Sequence, residues 1–366
     1  MSLTNVAILY GGRSGEHDVS LMSTKNVLRN LDSARFEPIL IGITAAGEWH
    51  LQPRSSVEEV VAGGDLVIED TGAFVDARPS GGLFRDGNSI DVDVVFPVLH
   101  GTFGEDGKVQ GLLATAGVPF VGSGVCGSAV SFDKVLSKRL WIQAGLPTVP
   151  FEVITRDSGE GEAIASAATR AADRFGFPVF VKPARLGSSV GITKAEDLES
   201  LGNAIAEAFL YDTKVMVEPE VAAREIECSV LGYPRPRAFP PGEVTPNHSF
   251  YSYEAKYLDP EGAGLEIPAA IDMEDAEEVQ RLAVAAFNAV DAEGMARVDF
   301  FLERTTGKIL LNEINTIPGF TGISMFPQLC NAAGMNYTQL VSELLDAALA
   351  RHVVEADLRY TPYQCS

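Results

Sequence analysis

Four side chains near the C-terminus, Arg297, Asp299, Glu313 and Asn315, have the types and spacing to hold a divalent cation beside a phosphate. They fall in or next to two apolar, strand-like runs, Ala296–Leu302 and Lys308–Ile314, joined by a turn at Thr306-Gly307. Side chains alternate along a strand, so Arg297 shares a face with Asp299, and Glu313 with Asn315. Paired as a hairpin, the runs would present two carboxylates, an amide oxygen and a guanidinium in one patch. An all-oxygen set suits Mg²⁺ completed by phosphate oxygens and water, not zinc or iron. The plainer alternative is a half-solvated hairpin with a salt bridge.

Other groups could serve the same chemistry. Gly187-Ser-Ser-Val-Gly191 follows Val181-Lys182-Pro183, so its backbone N–H groups could fold around phosphate oxygens while Lys182 adds a point charge. It lacks the Gly-x-x-x-x-Gly-Lys-Ser/Thr spacing of a P-loop, and a flexible hairpin loop would look the same. Glu218 and Glu225 bracket Pro219–Arg224 and could accept from a ribose or an adenine amine, or could be solvated surface acids. His100, in Leu99-His-Gly-Thr-Phe-Gly-Glu-Asp-Gly107, ends an apolar strand in a glycine-rich turn; it is either a proton handler or a loop histidine satisfied by backbone. Glu16, in Gly11-Gly-Arg-Ser-Gly-Glu-His17, could cap a helix or hold a substrate ammonium. The aromatic, polar stretch Tyr251–Leu258 between Pro246 and Pro260 reads as a lid able to exclude water, or as an anchored surface loop.

These groups need a scaffold. The first third alternates: strand Val6–Tyr10, helix Val19–Leu31, strand Pro38–Thr44, strand Val92–Val98, helix Gly107–Ala116 and strand Pro119–Val121. That rhythm predicts a parallel sheet with ligands at the carboxyl ends of its strands. Asp65–Asn88, rich in Gly, Asp and Arg, reads as a surface insertion. Around Gly122 the pattern changes to helix Ser131–Ala144, strand Thr148–Val153, helix Gly161–Phe175, strand Val179–Lys182, helix Glu196–Phe209 and strand Val215–Glu218. A strand at Glu225–Leu231, a helix Asp275–Val290 with Asp272 as its cap, the hairpin, and an amphipathic helix Tyr337–His352 complete the chain. No repeat or extended linker separates these parts.

At 366 residues the chain exceeds one ordinary core, and with 46% hydrophobic and 21% charged residues it is expected to be globular. A net charge of -22 argues against nucleic acid or an anionic membrane as partner, so positive charge for a polyphosphate must be gathered locally. Cys126, Cys228, Cys330 and Cys365 lack Cys-x-x-Cys spacing, which fits reduced thiols in a cytoplasm. No signal peptide and no apolar run of membrane-spanning length is visible.

Taken in order, these strings resemble the D-alanine–D-alanine ligases of the ATP-grasp superfamily over nearly the whole chain. The resemblance rests on Gly11–Ser20, Leu99–Gly107, Gly122-Ser-Gly124, Asp133-Lys134, Val181-Lys-Pro183, Gly187–Gly191, Tyr253-Glu-Ala-Lys-Tyr257, Arg297-Val-Asp299 and Asn312–Gly319. It implies a three-domain α/β ATP-grasp fold with an N-terminal Rossmann-like domain, divided as 1–122, 123–218 and 219–366. ATP would lie between the second and third domains, with Lys134 and Lys182 on its phosphates, Glu218 and Glu225 at the nucleoside, and Lys256 of the lid at the γ-phosphate. Asp299, Glu313 and Asn315 would hold two Mg²⁺ (or Mn²⁺). Glu16 would hold the first D-alanine's ammonium, linked through Ser188 to Tyr257, with His100 nearby. Arg297 and the Gly319 N–H would stabilise oxyanions, and Ser324 would position the second substrate's carboxylate. A homodimer, a bacterial cytoplasmic setting and a role in peptidoglycan precursor synthesis are also implied.

The chain departs from the family's usual residues at Leu186, Met325 and Thr316-Ile317, none of which is an expected metal or phosphate ligand. Tyr257, where phenylalanine accompanies depsipeptide formation, points to a dipeptide product. The rivals are a D-alanine–D-lactate or other carboxylate–amine ligase, and a catalytically silent nucleotide-binding regulator. A dinucleotide oxidoreductase is more distant, for Gly-x-Gly-x-x-Gly is missing.

Overall fold

The computed structural model describes residues 3–156, 162–246 and 263–359. Its opening strand, Thr4–Gly11, lies inside a four-stranded sheet ordered Trp49–Leu51, Phe36–Ile43, Thr4–Gly11, Val94–Val98. The three longer strands run parallel, and Trp49–Leu51 adds an antiparallel edge. Both faces of the sheet are covered, which explains the unbroken apolar run Val6–Tyr10. Ala7 and Leu9 face a core with Leu113 and Phe120, whereas Val6, Ile8 and Tyr10 face the C-terminal part of the chain. The carboxyl ends of these strands carry the Gly11–Glu16 turn and the His100–Gly107 turn.

The Asp65–Asn88 stretch is not a featureless insertion. It contains a three-stranded antiparallel sheet of Val75–Arg78, Gly82–Arg85 and Asn88–Ser89, with Val75 and Leu83 buried in the N-terminal core. Strands of two to four residues are too short for their alternation to stand out in the sequence.

A second four-stranded sheet is antiparallel and ordered Thr193–Ala195, Val179–Pro183, Lys214–Pro219, Glu152–Thr155. Val179, Val181, Val215 and Val217 pack beneath it on helices Glu162–Phe175 and Leu198–Ala208. Its other face carries Lys182, Met216 and Glu218 toward helix Lys134–Gln143. The expected helix Ser131–Ala144 is in fact two, Val125–Phe132 and Lys134–Gln143, broken at Asp133. The Asp133 carboxylate accepts the Val135 and Leu136 N–H groups, both at 3.1 Å, so it caps the second helix. The expected strand Thr148–Val153 sits later, at Glu152–Thr155; Thr148 makes only a bridge to Leu311.

The third sheet runs Ala263–Glu266, Gly242–Pro246, Ala223–Gly232, Gly294–Glu303, Ile309–Asn315, with Arg237–Ala238 beside the middle strand. Ile226, Cys228, Val230, Val298 and Phe300 bury one face against helix Met273–Ala289. Asp272 takes the N-cap position of that helix without a side-chain capping bond. Helices Met325–Ala332 and Tyr337–Ala356 follow, and only the second was anticipated.

The first and last parts share one core. Val6, Ile8, Tyr10 and Phe96 cluster with Phe320, Phe326, Leu340 and Leu344, and Phe96 meets Phe320 edge-on at 5.7 Å between ring centroids. Buried Arg351 strengthens the joint by donating to the Phe120 carbonyl at 2.8 Å and to the Gly122 carbonyl, and by pairing with Glu293 at 3.1 Å. A Cβ on Gly294 would lie 3.3 Å from the Gly122 Cα, so the close approach there needs glycine. No described helix is long and apolar enough to cross a membrane.

Candidate active site at the junction of three sheets

The hairpin register puts the predicted residues on one face. Arg297 is opposite Asn315, Asp299 is opposite Glu313, and the neighbouring strand adds Glu227 opposite Asp299. A bulge after Asp299 leaves Asn312 unpaired in the ladder, so Phe300 meets Leu311. The Arg297 guanidinium grips Asp299 through two bonds of 2.7 Å and Glu227 at 3.0 Å, while the Asn315 amide donates to Asp299 at 3.2 Å. Among the described residues, no three His, Cys, Asp or Glu side chains form a ready-made metal cage. Asp299, Glu313 and Asn315 nonetheless bring only oxygen donors to paired strands, the donor type a hard cation takes when phosphate oxygens and water complete its ligands.

Across from this patch lies a row of lysines and one glutamate. Lys134 and Lys138 are four apart on helix Lys134–Gln143, hence on one side of it. Lys134 donates to the Leu186 carbonyl at 2.7 Å and sits 3.3 Å from Glu313, so it ties the Gly187 loop to the acidic patch. Lys138 and Glu218 are both buried and form an ion pair; Lys182 meets the other Glu218 oxygen at 2.7 Å. Burial works to raise the Glu218 carboxyl, but Lys138 and Lys182 outweigh it and hold Glu218 below its ordinary range. Burial likewise opposes the charge on Lys182, yet Glu218, Glu313 and Glu225 prevail and raise it. At Lys138 burial wins and the ammonium is lowered.

The Gly187 loop connects strands Val179–Pro183 and Thr193–Ala195. Ser188 and Ser189 both take the left-handed backbone, at φ 50° and 61°. Such strain gathers at ligand clamps. The Ser188 hydroxyl donates to Glu16, which precedes helix His17–Arg29. Glu16 is buried against Gly101 and Gly187; a Cβ on those glycines would come within 2.3 Å and 3.3 Å of its carboxylate. Glu105, also buried, accepts the Gly101 N–H at 3.3 Å, and burial together with the Glu16 charge holds its carboxyl well above the usual range.

His100 has both ring nitrogens engaged. Its Nδ1–H donates to the Ile317 carbonyl at 3.0 Å, and Nε2 lies 2.9 Å from the Ser23 hydroxyl, which itself accepts the Phe320 N–H at 3.2 Å. The ring thus fastens the turn at 100–107 to the Gly319 loop. Ser324 stands just before helix Met325–Ala332, and its Oγ would be 2.6 Å from a Cβ on Gly319, so a side chain there would push the serine hydroxyl aside. Burial pulls His100 from its ordinary 6.5 down to about 4. Between those values the unfolded chain binds a proton that the folded chain refuses, so stability falls as pH falls, by up to about 3 kcal/mol. Urea denaturation from pH 7 to 4.5 is expected to show a flatter stability profile for His100→Asn than for the parent; parallel profiles would refute this.

Lys256 and Tyr257 lie outside the described residues, as does Cys365. Among the other expected residues, Ser188 meets Glu16, His100 meets the Ile317 carbonyl before the Gly319 loop, and Arg297, Asp299, Glu313 and Asn315 form the patch. Glu225 shares its face, opposite Phe301. Glu218 is not open to a ligand on the Lys138 side, since both of its oxygens already face lysines. Three residues escaped the sequence reading: Glu105, Lys138 and Glu227. Helical spacing from Lys134 would have found Lys138, and strand spacing from Glu225 would have found Glu227.

Known proteins are similar to this chain along nearly its whole length. Residues 5–123 match the family model "D-ala D-ala ligase N-terminus", and residues 140–346 match "D-ala D-ala ligase C-terminus". The chain is 46% identical over 357 residues to a D-alanine–D-alanine ligase of Thermoanaerobacter sp. (strain X514), covering 96% of this chain and 98% of the relative. It is 47% identical over 356 residues to D-alanine–D-alanine ligase A of Bradyrhizobium diazoefficiens, covering 95% of each. Among solved structures, the D-alanine-D-alanine ligase of Coxiella burnetii superposes with a TM-score of 0.82 at 33% identity, covering 96% of this chain and 97% of that one. The VanG D-Ala:D-Ser ligase of Enterococcus faecalis gives 0.84 at 33% identity, covering 95% and 100%.

Proposed function

The chain belongs to the D-alanine–D-alanine ligase family and has its ATP-grasp fold with a Rossmann-like first lobe; on that premise we propose that it joins two D-alanine molecules into D-alanyl-D-alanine while ATP becomes ADP and phosphate. The dipeptide would serve peptidoglycan precursors, in a bacterial cytoplasm, and the enzyme would work as a homodimer. The observation that carries this reading is the Glu16–Ser188 hydrogen bond, which joins an ammonium-binding carboxylate to a phosphate-type loop beside the Asp299–Glu313 patch.

We divide the chain as 1–122, 123–218 and 219–366, with ATP between the second and third lobes. Lys134 and Lys182 face its phosphates, Lys256 reaches the γ-phosphate, and Glu218 and Glu225 flank the nucleoside. Asp299, Glu313 and Asn315 would hold two Mg²⁺ (or Mn²⁺), which when bound would neutralise charge on the transferring phosphoryl group. Glu16 pairs with the ammonium of the first D-alanine, leaving its carboxylate free to attack the γ-phosphorus; an acyl phosphate forms and ADP departs. Ser324, at the start of helix Met325–Ala332, receives the carboxylate of the second D-alanine, where helix N–H groups favour an anion. The uncharged amine of that second molecule attacks the acyl carbon. Arg297 and the Gly319 N–H stabilise the tetrahedral oxyanion, and inorganic phosphate leaves. Lys256 and Tyr257, which lie outside the described residues, would keep water from the acyl phosphate. His100 holds the Gly319 loop in place.

A different second substrate is the alternative to exclude, because a D-Ala:D-Ser ligase is among the solved structures that share this fold. Release of ADP and phosphate, followed with D-alanine alone and then with D-serine or D-lactate added, tests both. D-alanine alone is expected to sustain turnover, with D-alanyl-D-alanine identified by mass spectrometry. Turnover indifferent to D-alanine, or product made only with D-serine or D-lactate, would overturn the first reading.

A further inference from the structure

Lys138 has no part in the scheme above, yet it is wholly buried and charged against Glu218. Methionine would fill similar space without the cost of desolvating an ammonium. We propose that Lys138 is a positioning residue that occupies one oxygen of Glu218 and cancels its charge, so that Lys182 keeps a full positive charge aimed at the ATP phosphates.

The geometry is a row, with a single carboxylate between two ammoniums. With Lys138 present, the row carries one net positive charge. Without it, Glu218 and Lys182 neutralise each other, and both carboxylate oxygens compete for the same ammonium. The surroundings make this matter. Glu225 and Glu313 also act on Lys182, and Glu313 lies beside Lys134. Lys134, Lys138 and Lys182 are therefore balanced against Glu218, Glu225 and Glu313. Losing one lysine turns this group of six net negative, beside the Asp299 and Glu227 acids and inside a chain of net charge -22, where a polyphosphate must dock. In a poorly screened interior such an imbalance acts at close range. The inference rests on the proposed placement of the phosphates at Lys134 and Lys182.

A double-mutant cycle separates charge from packing. Lys138→Met is expected to raise the KM for ATP, and the Kd for ADP by calorimetry, about tenfold, with the KM for D-alanine unchanged. In a Glu218→Gln background, where no negative charge remains to cancel, the same substitution is expected to change ATP affinity less than twofold. Equal losses in both backgrounds would reduce Lys138 to a packing role, and no loss in either would also overturn the proposal. Should Lys138→Met fail to fold, Lys138→Gln reads the same charge difference while still donating to Glu218. Lys182→Ala is the control: if it leaves ATP affinity unmoved, the placement of the phosphates has failed, not the role of Lys138.

Discussion

Arg297→Ala is expected to lower kcat/KM by about a hundredfold to a thousandfold, or roughly 3–4 kcal/mol of transition-state stabilisation on the scale of a lost oxyanion donor. The guanidinium lies between Asp299 and Glu227, so its direction is fixed before substrate arrives. Removing it deletes a donor and also leaves two carboxylates facing each other. Arg297→Lys distinguishes these effects: it keeps a charge near both acids but cannot reproduce the paired bonds to Asp299. Steady-state kinetics should place the lysine variant between parent and alanine. Turnover of the alanine variant within a few-fold of the parent would remove Arg297 from the chemistry.

Glu313→Ala is expected to be nearly as severe, with kcat reduced about a hundredfold or more. Glu313 is opposite Asp299 across the hairpin and also next to Lys134. Its loss would remove a proposed cation ligand and would free a lysine that anchors the Gly187 loop. The two consequences differ in their dependence on Mg²⁺. If the cation role dominates, the concentration of Mg²⁺ giving half-maximal rate rises together with the fall in kcat, whereas a loosened loop alone raises the KM for ATP at every Mg²⁺ concentration. An unchanged Mg²⁺ titration would argue that Glu313 serves only to hold Lys134.

The hairpin patch was legible because two rules suffice for it: side chains alternate along a strand, and antiparallel partners share a face. Neither rule foresees the bulge that leaves Asn312 over. The break at Asp133 was less visible, since no residue between Ser131 and Ala144 forbids a helix. It is the capping carboxylate and its pairing with Lys214 that favour a new start there. Helix Met325–Ala332, absent from the expected elements, carries Pro327 in its first turn, where proline is tolerated because its absent N–H has no partner to lose. Around the site, Glu16, Ser188, Lys134 and Lys182 stood out by motif. Glu105 did not, because its importance comes from burial next to other charges, a property of the assembled chain, whereas for Lys138 helical spacing gives its side of the helix but not its burial.

The core shared by Val6, Phe96, Phe320 and Leu344 has a consequence for the order in which the protein is made. During synthesis the opening sheet leaves the ribosome with one apolar face only partly covered, by Val27, Leu28 and Val60 of its own helices, and the helices that complete the cover are translated last. The first lobe must wait in a sticky, half-dressed state until Phe320, Leu340 and Arg351 arrive. A gene shortened before those residues would yield a fragment prone to clump, not a smaller working enzyme.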